Sequence, residues 1–268
     1  MSRLSETFSN IKAKNKKAFS VFLMSGYPDK ETFLGLLKLS TDAGVDFIEV
    51  GMPFSDPSAD GPSIKKAGTL ALDKGTTVKD TIESIREFRQ YDDKTPIVWM
   101  GYFNSLFSYG VDDFLNDIEK AGVDGLLVVD LPIEENYRFG NIREKNIDII
   151  QLITPVTSNE RLSLILAKAA GFVYFVSITG ITGTKEAEEE KIKAKVAYIK
   201  SKTDLPVIVG FGIKNPQKAK QISTFADGAI VGSALVDEIA KHANECGDFK
   251  NNDILFQKFK AFLEPFLN

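Results

Sequence analysis

Eight short, β-rich apolar runs recur along this chain, and each is separated from the next by a segment with helical periodicity: Phe19–Met24, Phe47–Val50, Ile97–Gly101, Gly125–Asp130, Ile149–Thr154, Val173–Ile178, Val207–Gly210 and Gly228–Val231. The runs are nearly continuous in apolar residues rather than alternating, the pattern of parallel strands covered on both faces. Helix start signals lie between them. Asp29 precedes a helix carrying Phe33, Leu36 and Leu37, Thr157 and Glu160 form a T-x-x-E capping box, and Asn215–Pro216 supplies an N-cap with proline at the first helical position. Ala43-Gly44-Val45-Asp46 recurs identically at 121–124, with a looser copy at Phe225-Ala226-Asp227-Gly228, each between a helix and the next strand, where glycine suits a left-handed C-cap. No Pro/Gly/Ser-rich linker interrupts the series. These features, over 268 residues, predict an α/β fold with one domain over residues 1–268: a single (β/α)8 TIM barrel, which typically needs ~250 residues. An extra N-terminal helix over the amphipathic Ser2–Lys12 segment and a C-terminal helix with an apolar face of Leu255, Phe259 and Phe262 complete it. An open, doubly wound sheet is the competing arrangement, weakened by the absence of G-x-G-x-x-G after the first strand.

Composition narrows the chemistry. Acids outnumber bases 37 to 33, for a formal charge of −4, against the basic stripe of a nucleic-acid-binding surface. One cysteine and one histidine leave no disulfide framework, no multi-cysteine metal site and no His cluster. Acid–base work here falls to carboxylates, with no metal expected. No apolar run approaches the ~18 residues of a membrane span. Lys14–Lys17 followed by Ala18–Met24 imitates a signal peptide, but the run is short and no small-x-small cleavage site follows, so a buried strand is the reading. The expected setting is a reducing cytoplasm.

In a barrel, function collects at the C-terminal ends of the strands. Glu49 stands out as a carboxylate inside Phe47-Ile48-Glu49-Val50-Gly51. Burying it costs several kcal/mol unless it is paired or keeps its proton. Only Lys38 is basic within 15 positions on either side, so the choice is between a long-range ion pair and a functional acid. The following loop carries Pro53, Pro57 and Pro62 between Gly51 and Gly61, a rigid frame for Asp56 and Asp60. Those two could be turn formers or a preorganised carboxylate site. Asp130, ending the fourth run, reads as a capping or orienting group. Gly180-Ile181-Thr182-Gly183, Gly210-Phe211-Gly212-Ile213 and Val231-Gly232-Ser233-Ala234 follow the last three strands. Glycines there admit a phosphate to backbone N–H groups, and a helix opening after Gly232-Ser233 adds a favourable dipole. Trp99 reads as core, His242 and Cys246 as surface or packing residues, and the Lys185–Lys191 run as a solvated loop-to-helix segment able to act as a lid.

The segment Ile48-Glu49-Val50-Gly51-Met52-Pro53-Phe54-Ser55-Asp56-Pro57-Ser58-Ala59-Asp60-Gly61-Pro62 resembles the signature of the tryptophan synthase alpha chain, and the resemblance extends over essentially the whole chain. The family cleaves indole-3-glycerol phosphate to indole and glyceraldehyde 3-phosphate by a retro-aldol reaction. The resemblance implies Glu49 as the acid/base serving indole C3 and the glycerol hydroxyl, and Asp60 as the group that binds the indole N–H and balances the ring's positive charge. It further implies a mobile loop with Thr182 and Gly183, phosphate contacts from Gly212, Gly232 and Ser233, and an indole pocket of Phe22, Met100, Tyr102, Leu127, Tyr174 and Phe211. No cofactor is implied in this chain. The implied partner is a beta chain carrying pyridoxal phosphate, in a cytoplasmic αββα heterotetramer that receives the indole for L-tryptophan synthesis. Val21 stands where proline is common, Lys65 where glutamine is, Trp99 is unusual near the pocket, and Thr184-Lys185 follows Gly183 in place of Ala-Arg. Two alternatives share these residues: a stand-alone indole-3-glycerol-phosphate lyase, and a non-catalytic module that regulates a partner, against which the joint presence of Glu49 and Asp60 argues.

Overall fold

The computed structural model describes residues 2–140, 142–176, 185–210, 212–245 and 252–267. Parallel strands β1 (Ala18–Met24), β2 (Phe47–Gly51), β3 (Ile97–Gly101), β4 (Gly125–Val128), β5 (Asp148–Ile149), β6 (Gln151–Ile153), β7 (Val173–Val176), β8 (Val207–Gly210) and β9 (Gly228–Val231) form one sheet in the order β5-β4-β3-β2-β1-β9-β8-β7-β6. Its two ends, β5 and β6, are joined through Ile150, so the sheet is a barrel closed by the chain itself. The TIM-barrel expectation holds.

The eight expected runs become nine strands because the fifth splits. Asp148–Ile149 pairs with β4 and Gln151–Ile153 with β7, while the Ile150 N–H reaches the Leu126 carbonyl at 3.0 Å. The run changes partner in its middle, and neither half is long enough to pair with both neighbours. The fourth strand stops at Val128, short of Asp130, and residues 177 and 178 of the sixth run lie outside the described residues.

Helices α1 (Arg3–Ala13), α2 (Lys30–Ala43), α3 (Pro62–Asp73), α4 (Val78–Tyr91), α5 (Phe103–Tyr109), α6 (Val111–Ala121), α7 (Asn159–Leu166), α8 (Lys185–Lys200), α9 (Pro216–Ser223), α10 (Ser233–Glu245) and α11 (Asp253–Leu267) accompany the sheet. Asp29 and Asn215 cap α2 and α9 as expected, accepting from the Thr32 and Lys218 amides. On α7 the cap is one residue later than the T-x-x-E pattern indicated: Ser158 accepts from the Arg161 N–H, while the Thr157 hydroxyl accepts from the Thr154 amide at 3.1 Å. Between β4 and β5 the chain forms short 3-10 turns, Ile133–Phe139 and Ile142–Glu144, in place of an α-helix. The buried face of α11 is Leu255, Phe259 and Leu263, with Phe262 only partly covered. No helix among the described residues is long and apolar enough to cross a membrane.

The repeated Ala-Gly-Val-Asp element has a structural task at the N-terminal end of the barrel. Gly44 and Gly122 take left-handed C-cap conformations at φ 92° and 87°. Each aspartate then exchanges two bonds with the start of the preceding strand. Asp46 donates its N–H to the Phe19 carbonyl and accepts the Phe19 N–H on its carboxylate at 2.8 Å. Asp124 does the same with Ile97, and Asp227 with Val207. The third copy therefore shares the aspartate's task; its glycine, Gly228, is the first residue of β9 rather than a cap. Asp124 also binds Arg89 and Arg3 at 2.8 and 2.7 Å, which fastens α1 under the barrel. Phe8 of α1 meets Phe47 and Phe172 at centroid separations of 5.8 and 5.7 Å, and these rings plug that end. The opposite end is left for the site.

Candidate active site

Strand register decides which side chains face inward. Phe22, Glu49, Val98 and Gly125 are register partners across β1–β4, and neighbours in a parallel sheet point to the same face. Met100 and Leu127 pair one step further along. Trp99 has the opposite parity, is fully buried, and meets Phe114 of α6 edge-on at 5.1 Å. It is core, as its sequence context indicated.

Above this layer lies a cavity of about 330 Å³ lined by Phe22, Glu49, Ile64, Met100, Tyr174, Gly212, Ile213, Lys214, Ile230, Gly232, Ser233, Ala234, Asp237 and Lys241. Glycines make room for its aromatic walls. A Cβ on Gly51 would lie 2.2 Å from the Phe22 ring, and one on Gly210 2.1 Å from the Tyr174 hydroxyl. Gly212 has φ +77°, a left-handed turn that glycine adopts without strain.

Glu49 is 1% exposed, and its Oε1 has no hydrogen-bond partner. The long-range ion pair left open by the sequence is not formed among the described residues. Burial, reinforced by the nearby Asp60 charge, pushes its pKa up to about 8, so at neutral pH Glu49 is largely a carboxylic acid with a proton to give. Asp60 sits in the loop before α3. Its Oδ2 accepts the Tyr102 hydroxyl at 3.1 Å, and its Oδ1 is buried without a partner. Burial raises the Asp60 pKa, while the Tyr102 bond and the charge of Lys65 oppose the rise. Two carboxylates thus stand in different environments, the arrangement by which acid and charge-balancing roles divide. Tyr174 is buried, and both burial and the two carboxylates hold its phenol well above the ordinary range.

The proline-framed loop separates its two aspartates. The Ala59 N–H donates to the Tyr102 oxygen at 3.0 Å, and Phe54 stacks on the Tyr102 ring at 4.9 Å, so the loop and Tyr102 hold Asp60 from both sides, while Asp60, Tyr102 and Leu127 stand outside the cavity lining itself. Asp56 is exposed and accepts from the Ser55 hydroxyl. Asp130 accepts the Phe103 N–H at 2.7 Å, the capping role expected of it. His242 lies 3.1 Å from Glu238 on α10, away from the carboxylates in sequence and in cavity lining. Thr182, Gly183, Phe211 and Cys246 lie outside the described residues. Of the charged residues lining the cavity, Lys214, Asp237 and Lys241 were not singled out from the sequence. Lys214 follows the Gly-Phe-Gly-Ile motif directly, and Asp237 and Lys241 recur from Ser233 at the four-residue spacing of one helix face.

The raised Glu49 pKa carries a stability consequence. The folded carboxyl keeps its proton up to about pH 8, whereas a free glutamate side chain gives it up near 4.5. Between those values the unfolded state has lost a proton that the native state retains, so rising pH favours unfolding. Glu49→Gln removes that dependence. Urea unfolding at pH 5 and pH 9 is expected to show the variant gaining on the parent by on the order of a few kcal/mol across the window. A stability difference that does not change with pH would contradict the burial argument.

Comparison with known proteins places this geometry in context. The sequence profile described as "Tryptophan synthase alpha chain" matches residues 8–263. A solved tryptophan synthase subunit alpha from Legionella pneumophila superposes with a TM-score of 0.90 at 35% identity, covering 100% of this chain and 97% of that one. A chain from Aquifex aeolicus gives 0.87 at 34% identity, over 100% and 98%. A chain of Mycobacterium tuberculosis tryptophan synthase, solved in an aminoacrylate-bound form, gives 0.85 at 32%, again over 100% and 98%. Match length, identity and superposition agree with the barrel: the chain belongs to the tryptophan synthase alpha chain family.

Proposed function

We propose that this chain, as one barrel domain over residues 1–268, cleaves indole-3-glycerol phosphate to indole and glyceraldehyde 3-phosphate. The observation that carries the reading is a buried, proton-bearing Glu49 set near an Asp60 with one oxygen held by Tyr102 and the other buried without a partner. Glu49 delivers its proton to indole C3, which turns the ring into an iminium-like cation. Asp60 accepts the indole N–H and balances that charge. The Glu49 carboxylate, now basic, removes the proton from the glycerol hydroxyl next to the ring. The C3–carbon bond breaks, its electron pair returns to the indole, the hydroxyl carbon becomes the aldehyde, and Glu49 ends protonated as it began. The ring is its own electron sink, so the step needs neither metal nor cofactor.

Phe22, Met100, Tyr102, Leu127, Tyr174 and Phe211 wall the indole in this reading. Gly212, Gly232 and Ser233 receive the phosphate, and Thr182 and Gly183 close over it. The lining of one cavity by Phe22, Met100, Tyr174, Gly212, Gly232 and Ser233 supports the assignment. The N–H groups of Leu235 and Val236 both turn back to the Gly232 carbonyl, so those of Ser233 and Ala234 open α10 toward the anion.

The partner in this proposal is a pyridoxal-phosphate-bearing beta chain, in a cytoplasmic αββα complex. Support comes from the rim beside the Pro53–Pro62 loop. Phe107 is 63% and Tyr137 68% exposed, and Phe103, which follows Tyr102, contacts both Phe107 and Arg138. Exposed aromatics contiguous with a rigid loop suit a protein interface. The purified chain is expected to release indole and glyceraldehyde 3-phosphate in equal amounts from indole-3-glycerol phosphate. Absence of both products, with and without a beta chain, would refute the assignment.

A further inference from the structure

Resting on the proposed phosphate-bearing substrate, we infer that Lys214 is a specificity-determining residue whose ammonium group pairs with the phosphoryl group at the glycine-lined end of the cavity. Three observations carry this. Lys214 lines the same cavity as Gly212, Gly232 and Ser233. Among the described residues it has no ion-pair or hydrogen-bond partner, whereas the other lysine of the cavity, Lys241, is already 2.9 Å from Glu238. The lining also includes Asp237, a charge that repels a phosphate dianion.

Backbone N–H groups and a helix dipole supply only partial charges, and they act within about one turn. A dianion approaching Asp237 in a chain of net charge −4 gains from a full positive charge on a flexible stem in the cavity lining. Lys214 is the cavity cation that no carboxylate already neutralises. Its exposure makes the interaction sensitive to salt, since the screening length is about 10 Å at 0.1 M and about 3 Å at 1 M.

The test is calorimetric binding of glycerol 3-phosphate, and separately of indole propanol, to the full chain and to its Lys214→Gln and Lys214→Arg variants. Lys214→Gln is expected to weaken glycerol 3-phosphate binding roughly five- to tenfold at low salt, with the gap closing toward 0.5 M salt. Lys214→Arg retains most of the affinity, indole propanol binds all three alike, and Lys214→Gln raises KM for indole-3-glycerol phosphate more than it lowers kcat. Unchanged glycerol 3-phosphate binding in Lys214→Gln, or equal weakening of both ligands, would overturn the role of Lys214 while leaving the proposed reaction standing. A parent chain that binds indole propanol but not glycerol 3-phosphate would instead overturn the phosphate subsite itself, and Lys214 with it.

Discussion

Glu49→Gln is expected to lower indole release by roughly 10³–10⁴-fold while binding of substrate analogues stays close to that of the parent chain, because well-placed acid–base groups contribute about 10²–10⁴-fold and this one serves two proton transfers. The amide preserves the size and the acceptor oxygen of the carboxyl, so the indole pocket keeps its shape. It cannot deliver a proton to carbon or take one from the hydroxyl. The parent's own pH profile checks the same point from another side. Donation requires the protonated acid, so kcat/KM is expected to decline as pH rises past the Glu49 value of about 8. Steady-state indole release for both chains between pH 6 and 9.5 measures the two effects together. Near-normal turnover in Glu49→Gln would remove the residue from the chemistry.

Asp60→Asn is expected to lower kcat about 10²-fold with little change in KM. The ring's positive charge exists only after C3 is protonated, so the interaction with Asp60 is strongest in the transition state. Removing one preorganised electrostatic partner costs about 10²–10³ in kcat. The asparagine oxygen still accepts the indole N–H, which protects ground-state binding. Tyr102→Phe, which loses the 3.1 Å bond to Asp60, should fall between the parent and Asp60→Asn. A loss confined to KM in Asp60→Asn would show that Asp60 only binds the ring.

Much of this was legible in the sequence for identifiable reasons. Parallel strands buried on both faces have to be apolar throughout, so β1, β2, β3, β8 and β9 stood out within a residue or so of their ends. Glu49 was conspicuous because a carboxylate buried in such a strand must find a partner or keep its proton, and only Lys38 is basic nearby in sequence. Other features depend on contacts that local sequence does not carry. The split at Ile150 reflects pairing with β4 on one side and β7 on the other. Thr157 and Ser158 are adjacent hydroxyls, and only backbone geometry decides which one reaches the free Arg161 amide in the first turn of α7. The bond that aims Asp60 spans 42 positions, from Tyr102. Lys214, Asp237 and Lys241 reach the cavity through the orientation of α10 and the turn at Gly212, whereas their sequence context reads as ordinary polar surface.

In the proposed complex, the loop from Pro53 to Pro62 would give catalysis and partner a shared element. Asp60 is half-buried near Glu49 at one end and Asp56 is exposed at the other. A beta chain that docks on Asp56 and Pro57 would bias Asp60 toward its working position, a population shift between two arrangements of one loop. The most direct measurement is the rate of indole release from indole-3-glycerol phosphate by the purified chain, alone and after addition of a tryptophan synthase beta chain, with Asp56→Ala in parallel. The account predicts slow release by the isolated chain and acceleration of at least about tenfold on adding the partner, or ~1.4 kcal/mol, with Asp56→Ala losing more of that acceleration than of the basal rate. Full speed without a partner and no response to one would contradict it.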